Sequence, residues 1–262
     1  MSPATPIITL GEPLIELSSI DSTNIYAISQ IQQQMAVSGS CYRTDFQTHG
    51  KGQLGRVWDS EKGKNLLCSY VLSLAALQKT NENVKLWTPE HQIGLSFAVS
   101  LGVSDFYQSL AGEETSIKWP NDLYWRDRKA GGILIENTVR GNAWAWSIIG
   151  IGININQTEF SSVLGRPVSL RQITGKEWDI PMLVSTLSKA LTIRVNEWIH
   201  KGVDGLRMEY NQRLFKKGAL VNFKAKGMDI SGTVMGVNEK GQIIIDQGTA
   251  QTYNFGDLQW EI

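Results

Sequence analysis

The sequence predicts an α+β fold, a mixed β-sheet packed with helices, followed by a small all-β domain. Three observations carry this. Apolar runs of strand length pair up in the middle of the chain, at Gly132 to Val139 and Ala143 to Ile155, with Gly141-Asn142 as a hairpin turn between them. Helical stripes stand in separate blocks and do not alternate with strands, which disfavours a doubly wound parallel sheet. After Phe215 the texture changes to short runs divided by turn residues, the pattern of a small barrel. The expected division is therefore 1–214 and 215–262.

Element by element, Asp21 to Gly39 reads as a helix opened by Ser22-Thr23-Asn24, with Ile25, Ile28, Ile31 and Met35 near helical spacing and a glycine to close it. Leu66 to Leu74 alternates with a two-residue period and predicts a half-buried strand. Thr88-Pro89 supplies a cap and a first-turn proline for a helix reaching about Leu110. Ser116 to Trp119 is a short strand, and Pro181 to His200 a long helix with Leu183, Leu187, Leu191, Val195 and Trp198 on one stripe. The last segment contributes runs at Ala219 to Lys224, Ile230 to Val237, Gln242 to Asp246 and Gln251 to Phe255.

Charge and cysteine usage narrow the function classes. Lys plus Arg number 25 and Asp plus Glu 25, so the formal net charge is zero and an electrostatic nucleic-acid binder is disfavoured. Cys41 and Cys68 make no metal or disulfide spacing, and His49, His91 and His200 are scattered. The N-terminal stretch has no secretory pattern, and no run of about 18 apolar residues occurs. A cytoplasmic protein without a membrane span is expected.

Four segments could carry chemistry. Gln47 to Trp58 contains Gly50, Gly52 and Gly55 and formally satisfies GxGxxG, but Thr44-Asp-Phe-Gln precedes it and no helix pattern follows, so the dinucleotide reading fails on context. What remains is either an incidental surface loop or a loop whose amides approach an anion, with Lys51 and Arg56 adding charge and Trp58 an apolar wall. Lys118-Trp-Pro-Asn-Asp122 runs into a proline turn that sets an amide beside a carboxylate; on turn propensity alone, local backbone satisfaction is the favoured reading. Lys129 precedes two glycines at the mouth of the run to Glu136, where a ligand can approach the backbone closely, although an exposed hairpin lysine is the commoner case. Asn154 and Asn156 close the segment from Gly150 and are either ligand contacts or strand-end residues with local bonds. Gly-Lys is never followed by Ser or Thr, so no P-loop is present.

Taken in order, Ser22-Thr-Asn24, Gln47 to Trp58, Lys118 to Asp122, Lys129 to Glu136 and Gly150 to Asn156 resemble the biotin protein ligases, biotin–[biotin carboxyl carrier protein] ligases. The resemblance extends over about the whole chain. It implies the biotin/lipoate ligase fold, similar to class II aminoacyl-tRNA synthetases, with an SH3-like C-terminal domain. It also implies a two-step reaction, in which biotin and Mg-ATP give biotinyl-5′-AMP and pyrophosphate, and a carrier lysine then takes the biotinyl group. By motif position, Ser22, Thr23, Asn24 and Gln47 resemble the residues that hold biotin, with Gly50, Lys51, Gly52, Gln53, Lys129, Gly132 and Gly150 also around it. Arg56, Trp58, Asn121, Lys129 and Asn154 would meet ATP and the adenylate; Lys129, Arg56 and Asp122 would be catalytic, Asp122 binding metal or orienting the incoming lysine. The metal ligands are not identifiable from sequence.

The implied partner is a carrier domain such as that of acetyl-CoA carboxylase, with no nucleic acid and no membrane, and the family includes monomers and homodimers. Many members carry arginine where this chain has Gln53, a group that helps retain the adenylate. The expected substitute is a loop held by neutral hydrogen bonds from Gln53. Only 21 residues precede Ser22, too few for the winged helix-turn-helix of bifunctional members, so no repressor role is expected. The rival readings are a lipoate or octanoate ligase or transferase of the same superfamily, and a non-catalytic biotin- or nucleotide-binding module.

Overall fold

The computed structural model describes residues 7–80, 91–141, 143–161 and 165–261. Its larger sheet has seven strands: β1 (Leu14–Leu17), β2 (Cys41–Thr44), β3 (Asn65–Ser73), β4 (Thr115–Lys118), β5 (Asp122–Trp125), β6 (Arg128–Arg140) and β7 (Ala143–Asn154). Their order is β1-β2-β3-β7-β6-β5-β4, with β1 and β2 parallel and every other neighbour antiparallel.

One face of this sheet carries α3 (Gln92–Ala111) and α5 (Ile180–Lys201), which pack on each other and on Leu66, Cys68, Tyr70, Ile149, Ile151 and Ile153. The α5 stripe falls where its spacing places it, since Leu183, Leu187, Leu191, Val195 and Trp198 are all buried, each burial stabilising by about 1.5–3 kcal/mol. Asp179 caps this helix by accepting from the Met182 N–H. The opposite face carries α1 (Thr23–Gln32), whose Ala27 and Ile31 pack on Tyr42, Val71 and Ile148. Because α1 covers only part of that face, the rest is open beside the glycine-rich loop.

Several boundaries differ from the sequence expectation. The first helix ends at Gln32 because Gln34 turns left-handed (φ 60°), so Met35 lies outside it and is 56% exposed. Strand β3 is buried at every position, not on one face alone, because helices cover one side and α1 with the cavity the other. Thr88-Pro89 and Asn142 lie outside the described residues. Helices α2 (Leu74–Thr80), α4 (Leu170–Thr174) and α6 (Asp204–Gln212) and strands β1, β2 and β5 are additions to the predicted set. Strand β2 escapes pattern reading because Arg43 sits buried within it, bonded to Glu16 at 2.9 Å and Asp45 at 2.5 Å.

The second sheet is antiparallel, with β8 (Leu220–Ala225), β9 (Met228–Val237), β10 (Ile243–Asp246), β11 (Ala250–Tyr253) and β12 (Leu258–Glu261) in the order β11-β10-β9-β8-β12. Four of its strands match the expected runs; β12 is additional. It docks on the larger unit through Trp119 Nε1, which donates to Gly241 O at 2.9 Å, and through Asn211, whose amide both accepts from and donates to the Val237 backbone. This contact turns the β12 end of the small sheet toward the open face of the large one.

Candidate active site

A cavity of about 680 Å³ lies on that open face, between the glycine-rich loop, the sheet and the edge of the C-terminal sheet. Its floor is made by backbone. Across the sheet, Leu134 and Gly150 stand opposite Ser69 on one rung, and Lys118, Asp122, Gly132 and Gly152 follow one another on the next.

One end is a pocket of neutral polar groups at the start of α1. Gln47 Oε1 accepts from the Thr23 N–H at 2.8 Å, so a side chain 24 residues away satisfies one of the orphan donors of the first turn. Ser22, Thr23 and Asn24 are all buried, and none caps the helix by its side chain. The Asn24 amide receives the Ser69 hydroxyl at 2.6 Å and donates to Glu136 Oε2 at 2.6 Å and Leu134 O at 3.4 Å. Gly150 makes room for it: a Cβ there would lie 2.9 Å from Asn24 Cγ and 3.1 Å from its Nδ2.

The middle of the cavity is charged. Lys129 Nζ meets Asp122 Oδ1 at 2.7 Å and lies 5.9 Å from the centre of the Trp58 ring. The Trp58 indole fills the space over Gly152, where a Cβ would come within 2.6–2.9 Å of three of its atoms, and its Nε1 is buried without a partner. Asn121 is clamped to β6, its amide donating to Ile133 O while the Ile133 N–H returns to Asn121 O at 3.0 Å. The glycine-rich loop is a preformed hairpin. Gly52 N donates to Arg56 O at 2.7 Å and Arg56 N to Gln53 O at 3.1 Å, while Leu54 at its tip is left-handed (φ 54°) and 69% exposed. Gln53 thus joins the loop's internal bonding through its backbone carbonyl.

The far wall comes from the other sheet edge. Lys118 Nζ is 3.3 Å from Tyr124 Oη, 5.1 Å from the Tyr124 ring centre and 5.7 Å from that of Trp260 on β12. Burial pushes the Lys118 ammonium down to about 8, against the pull of Asp122 and with Lys129 and Arg56 adding to the fall. Burial, with the Asp122 and Asp127 carboxylates, raises the Tyr124 phenol, so the phenol beside Lys118 stays protonated and neutral.

Of the residues singled out in the sequence, Ser22, Thr23, Asn24, Gln47, Lys51, Gly52, Gln53, Arg56, Trp58, Asn121, Asp122, Lys129, Gly132, Gly150 and Asn154 all line this one cavity. Gly50 does not; its carbonyl accepts from the Trp58 N–H at 2.9 Å and closes the base of the loop. Asn156 is also outside, its amide bonded both ways to the Trp178 backbone. Asn154 reaches Val168 O at 3.2 Å and combines a local bond with a place in the wall. Sequence reasoning missed Ser69 and Glu136 as supports of Asn24, and Phe255 and Trp260 as wall residues. A serine on the outward parity of an apolar strand was the available signal for Ser69. A second, wide-open depression of about 490 Å³ offers less, because Arg128 is bonded to Pro167 O and Arg166 to Asp127.

The chain is 28% identical over 242 residues to the bifunctional ligase/repressor BirA of Escherichia coli, covering 90% of this chain and 70% of that protein. It is 26% identical over 231 residues to the biotin–[acetyl-CoA-carboxylase] ligase of Mycobacterium tuberculosis, covering 87% and 80%. The structure of biotin protein ligase from Aquifex aeolicus in complex with biotin and ATP superposes with a TM-score of 0.75 at 27% identity, covering 95% of this chain and 98% of that one. The mixed α+β architecture is that of these ligases, and the second antiparallel sheet fits an SH3-like domain. The biotin/lipoate A/B protein ligase family model matches residues 16–154, a span that runs from within β1 to the end of β7 and holds most of the cavity's lining, and the chain belongs to that family.

Proposed function

We propose that this chain is a biotin protein ligase, which activates biotin with ATP to biotinyl-5′-AMP and passes the biotinyl group to a lysine of a biotin carboxyl carrier protein. One observation carries the reading: a single trough leads from a neutral amide pocket to a Lys129–Asp122 ion pair, with no His or Cys among the described residues of its wall. Such a site can bring anions together but offers no nucleophile–base pair, which is what carboxylate adenylation requires. The likeness to ligases described as binding biotin and ATP supports it.

In the first half-reaction the Asn24, Thr23 and Gln47 pocket takes the ureido head, and the backbone floor at Gly150 and Gly132 the rings and chain. The carboxylate must then approach an anionic phosphate. Two unit charges about 3.5 Å apart repel by about 5 kcal/mol at an effective dielectric constant of 20, so at least one close cation is required. Lys129 and Arg56 supply two, and Trp58 walls the adenine side. Carboxylate oxygen attacks the α-phosphorus and pyrophosphate leaves. In the second half-reaction a carrier lysine amine attacks the acyl carbon, AMP departs, and Asp122 orients that amine and receives its proton.

Among the described residues no group of three or more His, Cys, Asp or Glu could hold a metal. The cavity wall carries the carboxylates of Asp59 and Asp122, either of which would hold a Mg²⁺ ion bound mainly by ATP phosphates, and the ion would supply charge neutralisation there. Residues 1–214 would form the catalytic domain and 215–262 the small domain that roofs the nucleotide end. An acetyl-CoA carboxylase carrier domain in the cytoplasm is the proposed acceptor; no helix of the described residues is long and apolar enough to cross a membrane.

The test is biotin-dependent exchange of labelled pyrophosphate into ATP, run beside Lys129→Ala and with lipoate in place of biotin. Exchange with biotin alone, lost in the variant, is expected. Exchange with lipoate alone moves the chain to the lipoate branch of its family, and exchange with neither leaves a binding module.

A further inference from the structure

Lys118 takes no part in the scheme above, yet it stands in the wall of the same cavity. It is paired across the β4–β5 hairpin with Asp122, and Gly132 and Gly152 continue that rung. With strands about 4.8 Å apart, Lys118 lies roughly 14 Å along the sheet from Gly152. The amide pocket is at one end of this path and Lys118, on the edge strand β4, at the other.

Phosphoryl displacement keeps the attacking and leaving oxygens roughly in line. A carboxylate arriving from the Asn24 end therefore expels pyrophosphate toward the opposite end, where Lys118 waits. Its surroundings fit that task. The nearest carboxylate, Asp122, is already engaged by Lys129 at 2.7 Å, and Lys118 itself touches a phenol and two ring faces, all neutral. An ammonium has three donors, so two remain for an incoming anion.

We infer that Lys118 holds the β- and γ-phosphates of the nucleotide and neutralises the charge gained by the departing pyrophosphate. The inference rests on the reading of the site as an adenylating ligase. In the step concerned, a bond forms from carboxylate oxygen to the α-phosphorus, and the bond from that phosphorus to the bridging oxygen breaks. The electron pair goes to pyrophosphate, and no proton has to move. Trp260, reaching over from β12, makes the C-terminal sheet part of the leaving-group pocket. The depressed affinity of Lys118 for its proton agrees with a cation crowded by Lys129 and Arg56 until an anion arrives.

The experiment uses the full chain with Lys118→Met and Lys118→Arg, and follows three quantities: the KM for pyrophosphate in biotin-dependent exchange, the biotin Kd by calorimetry, and transfer from preformed biotinyl-5′-AMP to hydroxylamine. Loss of one charge-assisted contact predicts a 10- to 100-fold rise in pyrophosphate KM for Lys118→Met. Biotin affinity and transfer should stay within about two-fold, and Lys118→Arg should keep KM within about three-fold of the parent. An unchanged KM in Lys118→Met overturns the inference, as does transfer that falls as far as exchange. If Lys118→Met no longer binds biotin, Lys118→Arg decides: a KM near the parent's supports the role and a raised one overturns it. Absence of exchange in the parent refutes the ligase reading itself, a result separate from any of these.

Discussion

Replacing Gly150 by alanine inserts a methyl group where the Asn24 amide now lies, 2.9 Å from its Cγ. Strand backbone on both sides fixes Gly150, so Asn24 must move. Moving it breaks the bond from Ser69 and the charge-assisted bond to Glu136, both 2.6 Å long, with a weak one to Leu134 at 3.4 Å. A neutral bond contributes about 1 kcal/mol and one to a carboxylate about 2, giving a loss of about 3 kcal/mol. Against this, Gly→Ala restricts the unfolded chain and returns about 0.4–1 kcal/mol. The net destabilisation should be about 2 kcal/mol by urea unfolding, with weakened biotin binding by calorimetry. A double-mutant cycle supplies the decisive reading: in an Asn24→Ala background the amide is gone, and Gly150→Ala should cost nothing or stabilise slightly. Equal cost in both backgrounds would refute the argument that Gly150 exists to seat Asn24.

Two further outcomes are expected. Burial, opposed by Asp122 and aided by Lys129 and Arg56, lowers Lys118 from 10.5 to about 8, so between those values the unfolded chain binds more protons than the folded one. The stability of the parent relative to Lys118→Met should therefore rise from pH 8 to pH 10 in parallel denaturant titrations; a flat or falling difference contradicts it. Gln53→Arg adds a cation at the tip of the glycine-rich hairpin and should slow release of biotinyl-5′-AMP by about ten-fold in a trapping assay, since a charge-assisted bond contributes about 1.5–3 kcal/mol. An unaltered release rate would count against a role for that position in retention.

Much of this site is legible in the chain because its residues fall in short segments with unusual local chemistry. The run Lys118 to Asp122 ends one strand and starts the next, so its residues necessarily stand together across a hairpin. The helix start at Ser22 to Asn24 was likewise visible, although its hydroxyls and amide serve the cavity and leave the capping to Gln47. What escaped depends on contacts between distant segments. Ser69 looked like the solvent face of an alternating strand, and only the covering by α1 turns that face inward. Trp260 joins Lys118 from more than a hundred residues away, through a docking contact at Trp119 that no periodicity encodes. Arg43 hid a strand because a buried charge breaks the apolar pattern until Glu16 and Asp45 are brought beside it.

The glycine floor also bears on how the cavity could drift over generations. At Gly150 and Gly152 the only available substitutions add volume, and each neighbouring group already occupies that volume. Single replacements there can narrow the trough but never widen it. A change of preference toward a longer or thicker acyl chain would have to begin in the opposing wall, at the Trp58 indole, whose unpaired Nε1 gives it no hydrogen bond to surrender. Directed libraries aimed at new acyl donors should therefore leave the floor intact and diversify the loop that carries the tryptophan.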